Sequence, residues 1–177
     1  QWGRVRYRLA SSHLLGSGSL NGSGTVPNIS LERYHHDCAQ WAGQLVLFGG
    51  KSGADEPFND LWAVDLATEL CRAITVQGSE RPTPRWGHSL LLNKHGVGWL
   101  FGGRDKVAHF GDTWRLMLTK EGNVPDSPIT ARWTKISTES HVTGSTAMHS
   151  LTARYFHSAV LVHDKPVRNN PIHFLIW

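Results

Sequence analysis

Cysteine is scarce in this chain of 177 residues: Cys38 and Cys71 are the only two. That excludes a disulfide framework and favours a reducing compartment, so a cytoplasmic location is the expectation. Two glycosylation-type triplets, Asn21-Gly22-Ser23 and Asn28-Ile29-Ser30, point the other way but lie in a loop-like stretch where they arise easily by accident. No apolar run approaches the ~20 residues a bilayer-crossing helix needs, and no membrane association is expected. There is no phosphate-cradling loop, zinc-ligand spacing or nucleophile elbow. Gly16-Ser17-Gly18 lacks the strand-to-helix setting that gives paired glycines meaning. The expectations are therefore no cofactor, no metal, no catalytic residue and a non-enzymatic role.

Charge is modest too, with 18 Lys and Arg against 14 Asp and Glu, a formal +4. Such a balance permits an anionic partner without demanding one. The one dense basic stripe, Arg4, Arg6 and Arg8, has the period-two spacing of one strand face and is flanked by Trp2 and Tyr7. A nucleic-acid partner bound there is an alternative reading, weakened by the lack of a second basic segment or a reading module.

What the chain does have is repetition. Arg33 to Trp62 and Arg85 to Trp114 share an Arg-x-x-His start, a hydrophobic segment ending in Phe-Gly-Gly, and an Asp two residues before a Trp. His36 and His88 are 52 residues apart, Gly49 and Gly102 are 53 apart, and Trp62 and Trp114 are 52 apart. A third start follows at Arg154 and His157. A period near ~50 built from short alternating strands is the signature of radially arranged four-stranded units.

On that period residues 1–9 are expected to form the outer strand of a preceding or closing blade, and 10–32 a flexible Ser- and Gly-rich insertion. Residues 33–76 form a first blade with strands at 36–42, 44–48, 60–66 and 71–76. Residues 85–137 form a second, with an enlarged loop at 119–130, and 154–177 the first half of a third. The chain opens on Gln1 and stops at Trp177 within an apolar run, so it is expected to be a piece of a longer array.

Phe48-Gly49-Gly50 with Asp60-Leu61-Trp62, and Phe101-Gly102-Gly103 with Asp112-Thr113-Trp114, resemble the kelch-repeat β-propeller family. Trp133 matches that family's fourth-strand Trp, and Cys71 stands in the equivalent place of the first blade. The resemblance implies an all-β, partial propeller, with about three of roughly five to seven blades. It further implies a platform for a protein partner, such as an adaptor or a structural subunit of a larger assembly. An enzyme with a ring-mouth active site is the remaining alternative. The sequence does not address oligomeric state.

Residues repeated in every blade are best explained by what every blade needs. His36, His88 and His157 read as packed imidazoles hydrogen-bonded to neighbouring backbone. His35-His36-Asp37-Cys38 is a tempting cluster, but neighbours on a strand face opposite ways, so only alternate members can converge. Gly49, Gly50, Gly102 and Gly103 read as bends or close approaches. Trp62, Trp114 and Trp133 read as inter-blade packing. Arg33, Arg85 and Arg154 have two readings: ion pairs to Asp60 and Asp112, or a cationic ring facing an acidic partner. Non-repeated residues carry better functional odds, because blade architecture does not require them: Trp41, Trp86, His95, Trp99, Arg104, Asp105, Lys106, His109 and the loop tip Asp55-Glu56. Trp86 with Arg104 to Lys106 is the expected partner-contact patch. His109 beside Asp112 suggests acid-base chemistry but lacks a third member.

Overall fold

The computed structural model describes residues 8–9, 32–122, 127–136, 152–161 and 174–176, and every regular element among them is a β-strand. The expected strand of residues 1–9 lies outside the described residues except for its last two, and the 10–32 insertion lies outside them except for Glu32. The first blade contains β2 (Asp37–Trp41), β3 (Gln44–Phe48), β4 (Leu61–Asp65) and β5 (Leu70–Ala73). The second contains β7 (Ser89–Leu92), β8 (Val97–Phe101), β9 (Thr113–Lys120) and β10 (Ile129–Ile136). In a third pair, β11 (Ala159–Leu161) lies antiparallel to β12 (Phe174–Ile176).

Within each blade successive strands pair antiparallel, and the registers of the two blades superimpose. Trp62 faces Ala73 and Val64 faces Cys71, as Trp114 faces Lys135 and Leu116 faces Trp133. Cys71 therefore occupies the place of Trp133 by register. The alternation is that of strands with one face in a core: Gln44, Val46 and Phe48 of β3 are buried while Leu45 and Leu47 are half-buried. Phe48, Val46, Leu61 and Ala63 of the first blade pack against Leu90, Leu100, Leu116 and Trp133 of the second. Phe48 meets Trp133 edge to face with centroids 5.2 Å apart.

Three expected boundaries move. The fourth strand of the first blade stops at Ala73, and β6 (Thr75–Gln77) leaves it to pair parallel with Thr130–Arg132 on the outer edge of the second blade. Ile74 separates the two pieces; it is buried, and its N–H still donates to Leu61. Each such handover covers an otherwise open outer edge. Arg8–Leu9 (β1) pairs in the same way with Leu70–Cys71, so these two residues sit on the outer edge of the first blade rather than in a preceding or closing one. The enlarged loop at 119–130 is shortened from both ends: β9 runs on to Lys120 and β10 starts at Ile129, with Ile129 opposite Lys120. The alternation of buried and exposed residues in TWRLMLTK runs through Leu118, and part of the extra length goes into a longer hairpin.

The glycine pairs sit where the blades meet. A Cβ on Gly49 would lie 2.7 Å from the Arg85 carbonyl oxygen, and one on Gly102 would lie 2.6 Å from that of Arg154. Both have positive φ, 62° and 66°, so shape and backbone conformation alike demand glycine. That close approach lets Gly50 N–H donate to Arg85 O at 2.9 Å and Gly103 N–H to Arg154 O at 2.8 Å, tying each blade to the next.

Candidate functional site

The site is built on a buried frame that recurs in both blades. Arg85 Nη1 donates to Asp112 Oδ1 at 2.6 Å and to the Gly102 carbonyl at 2.9 Å, and Nη2 donates to Asp112 Oδ2 at 3.0 Å. Trp114 Nε1 donates to the same carboxylate at 2.7 Å. Arg33 repeats this with Asp60 at 2.7 and 3.0 Å and with Gly49 at 2.9 Å, and Trp62 closes the group at 2.6 Å. A phenylalanine covers each guanidinium, Phe58 at 4.5 Å and Phe110 at 4.1 Å. Burial disfavours the Asp112 charge, but the Arg85 hydrogen bonds and charge outweigh it and hold the carboxyl below its ordinary range. Arg33 and Arg85 are thus interior members of an ion-paired frame, and the reading of them as a partner-facing ring is corrected. Arg154 keeps the local contacts of Arg85: each donates from Nε to a threonine carbonyl two residues back and from Nη2 to its hydroxyl.

His88 and His157 depart from expectation in how they are held. His88 is buried, and neither ring nitrogen of His88 or His157 makes a hydrogen bond of ordinary geometry. Each is gripped by packing instead, edge to face on Phe48 and Phe101 respectively, with centroids 5.3 Å apart. Burial, helped by the Arg85 charge, pushes the His88 pKa down to about 3, so the ring is neutral. Burial also lowers His157 and, with Arg33, His36. Cys38 is exposed and Cys71 buried, both as free thiols, and burial pushes Cys71 up to about 11.

Above this frame, at the Gly-Gly end of the strands, an open groove of about 660 Å³ runs across the blade boundary. Within its lining Trp86 and Tyr155 hold equivalent repeat positions, as do Lys51 and Arg104. The aromatic after each repeat Arg is Tyr34, Trp86 or Tyr155, and the residue after each Gly-Gly pair is Lys51 or Arg104. Reciprocal backbone hydrogen bonds join Tyr34 to Lys51 and Trp86 to Arg104 at 2.8 to 2.9 Å, setting aromatic and base side by side in each blade. The Gly50 to Arg85 bond then brings Lys51 Nζ within 5.0 Å of the Trp86 ring centre. One blade further on, Arg104 Cζ lies 5.1 Å from Tyr155 while remaining 5.6 Å from Trp86. Cations and rings therefore alternate across the groove. His109 meets Tyr155 in a tilted arrangement with centroids 4.9 Å apart, and His35 meets Phe156 edge to face at 4.7 Å.

Of the expected contact patch, Trp86, Arg104 and Lys106 line this groove. Asp105 serves the loop instead: its Oδ1 accepts from Val107 N at 2.7 Å and Ala108 N at 2.6 Å, and those bonds hold its carboxyl low. Trp86 is 6% exposed and, contrary to its reading as unrepeated, shares its position with Tyr34 and Tyr155. Lys51, Tyr155 and Phe156 were missed. An Arg-aromatic pair in every copy and a base after Gly-Gly in two copies were the available signals. Trp41 and Trp99 are core residues, and His95 lies with Trp41 at the opposite end of the strands, where Gly96 abuts the Trp41 ring. His109 pairs with an aromatic ring rather than with Asp112. Among the described residues no group of three or more His, Cys, Asp or Glu is placed to hold a metal, and no helix is long and apolar enough to cross a membrane. Arg4 and Arg6 lie outside the described residues.

A family model described as the KLHDC2/KLHL20/DRC7 Kelch-repeats domain matches residues 18–167. The chain is 35% identical over 77 residues to Tip elongation aberrant protein 1 of Schizosaccharomyces pombe, a match covering 42% of this chain and 6% of that protein. It is 27% identical over 117 residues to Adagio-like protein 1 of Oryza sativa subsp. japonica, covering 66% of this chain and 18% of that protein. The matched region is thus a small part of either relative.

Proposed function

The chain belongs to the kelch-repeat family, whose domains generally serve as protein-interaction scaffolds, and on that premise we propose that it captures a protein partner at the groove of Lys51, Trp86, Arg104 and Tyr155. One observation carries this reading. Bases and aromatics from successive blades are aligned at one end of the strands, with Lys51, Arg104 and Tyr155 partly exposed around the buried Trp86, on a frame whose carboxylates are already engaged by arginine. Aromatic and guanidinium groups held in place before binding lose little freedom on contact, which is why such residues dominate interaction energies. The proposed role is adaptor or structural subunit rather than catalyst. The two groups shifted furthest, His88 and Cys71, support this, since both are buried in blade packing away from the groove lining. A cytoplasmic location is proposed on the two free thiols and is checked by cell fractionation.

The decisive test is partner capture by the full-length protein carrying Arg104→Glu and Lys106→Glu, compared with Arg132→Glu on an exposed outer-strand position. The groove variant should lose its stoichiometric partner, and the control should keep it. Equal capture by both overturns the assignment of the groove. Trp86 is better left intact in this test, because replacing a buried ring would confuse lost binding with lost packing.

A further inference from the structure

The groove already contains carboxylates of its own. Asp55 and Glu56 stand on the turn that follows the Gly-Gly pair of the first blade. Asp55 Oδ1 accepts from Lys51 Nζ at 2.6 Å, and Glu56 pairs with Lys106 of the second blade. The Lys51 hydrogen bond, with the charges of Lys51 and Lys106, draws the Asp55 carboxyl below its ordinary range. The turn does not depend on these pairs for its shape. Ser52 Oγ accepts from the N–H groups of Ala54 and Glu56, each at 3.2 Å, and Asp55 N donates to Ser52 O at 3.0 Å. Ser52 N in turn donates to Glu56 O at 2.9 Å. Two adjacent carboxylates are thus presented to the groove on a turn that holds itself.

Both ion pairs are exposed on the carboxylate side, 64% for Asp55 and 65% for Glu56. Exposed pairs of this kind are weak, screened by salt and readily exchanged. Arg104 differs: among the described residues no carboxylate pairs with it, and its guanidinium lies between two rings. The groove therefore holds three cations, two of them occupied by exchangeable carboxylates of the same chain and one open to an outside anion.

We propose that the Asp55-Glu56 turn is an internal occupant of the groove, holding the place of an acidic segment of the protein partner. Resting on the groove being the partner site, this adds the partner's chemistry and a regulating contact. An incoming pair of carboxylates displaces Asp55 and Glu56 from Lys51 and Lys106 and engages Arg104 as well. The turn thereby raises the threshold for binding, so that segments with a single carboxylate compete poorly against it.

The test uses the full-length protein and three fluorescent ten-residue peptides, identical except for a central Glu-Glu, Gln-Gln or Lys-Lys, with binding followed by anisotropy. The wild type should prefer the Glu-Glu peptide, and raised salt should weaken that preference. Asp55→Asn with Glu56→Gln should tighten Glu-Glu binding about three- to tenfold, the effect of removing two exposed competing pairs. Arg104→Gln should abolish the preference. If Arg104→Gln abolishes Glu-Glu binding but the double variant shows no gain, the internal occupant is refuted and the groove stands as a partner site. If the wild type prefers Lys-Lys and the double variant loses it, the acidic turn is itself the recognition surface and the proposal fails. If no peptide binds and Arg104→Glu with Lys106→Glu still captures the partner, the groove is refuted as well.

Discussion

The first and second blades share a skeleton and differ in what hangs on it. Arg33, Gly49, Gly50, Asp60 and Trp62 reappear, contact for contact, as Arg85, Gly102, Gly103, Asp112 and Trp114. The second blade, however, has strands of 8 residues where the first has 5 and 4, and a tryptophan where the first has Cys71. The first carries the acidic turn, the second the open Arg104. Positions that meet a neighbouring blade are constrained by packing and repeat, while the length and charge of the ends are free to vary. Whatever distinguishes this protein from other arrays of the same kind lies in those ends.

The difference between the blades predicts unequal costs at equivalent positions. Trp133→Ala should destabilise the protein by about 4 kcal/mol, because a fully buried ring against Phe48 leaves a large cavity. Cys71→Ala at the same register should cost roughly 1 kcal/mol, in keeping with the smaller side chain removed. Urea unfolding of the two variants measures both, and equal losses would mean that the blades are not packed as described. The ion pairs give a finer version of this contrast. Asp112→Asn leaves the wholly buried Arg85 without its counter-charge and should cost about 3 kcal/mol. Asp60→Asn should cost around half as much, since the Asp60 side chain is 39% exposed against 19% for Asp112 and water can take over part of its role.

The contrast also separates what the sequence shows from what it hides. The period, the strand pairs and the frame are legible because one buried geometry selects the same letters each time: a glycine where a Cβ would strike a carbonyl, an aspartate opposite a buried arginine. The handover of Thr75–Gln77 to the next blade is not legible, because parallel pairing at an outer edge asks for no particular residue and Ile74 simply interrupts a strand-like run. The groove is legible only in part. Arg104 and Lys106 stand out as charges in a loop, whereas Lys51 and Tyr155 matter through contacts to a neighbouring blade, with Trp86 35 residues away and Arg104 51 residues away in the sequence. The repetition at Trp86 is hidden because its counterparts, Tyr34 and Tyr155, are tyrosines.

Acid should sharpen the comparison further. The His88 pKa is lowered from 6.5 to about 3 in the folded state, so below 6.5 the unfolded chain takes up a proton that the native ring refuses. The contribution of His88 is complete above 6.5 and is lost as pH falls toward 3, at about 1.4 kcal/mol per pH unit. His88→Phe should flatten the stability profile by that slope between pH 6.5 and 5, a range in which most carboxylates stay ionised. His36→Phe, at the exposed equivalent position, should flatten it less. A matching change in both variants would remove burial as the cause.

The smallest effect is expected at the far end of the strands, where the β2–β3 connection is the two-residue turn Ala42-Gly43. Its φ values of 49° and 76° are both positive, as a type I′ turn requires, and Ala42 is one of the few non-glycine residues held there. The corresponding connection of the second blade avoids that strain: Asn93 Oδ1 accepts from the N–H groups of His95 and Val97 at 3.0 Å, and Gly96 takes the positive φ. Ala42→Asn would give the first blade an Asn-Gly turn suited to the same backbone, and should raise stability by about 0.5 to 1 kcal/mol. Because Ala42 lies at the opposite end from Lys51 and Arg104, the variant should melt higher with unchanged partner affinity. A change in affinity would show that strain in the first blade's turn is felt across the whole length of its strands.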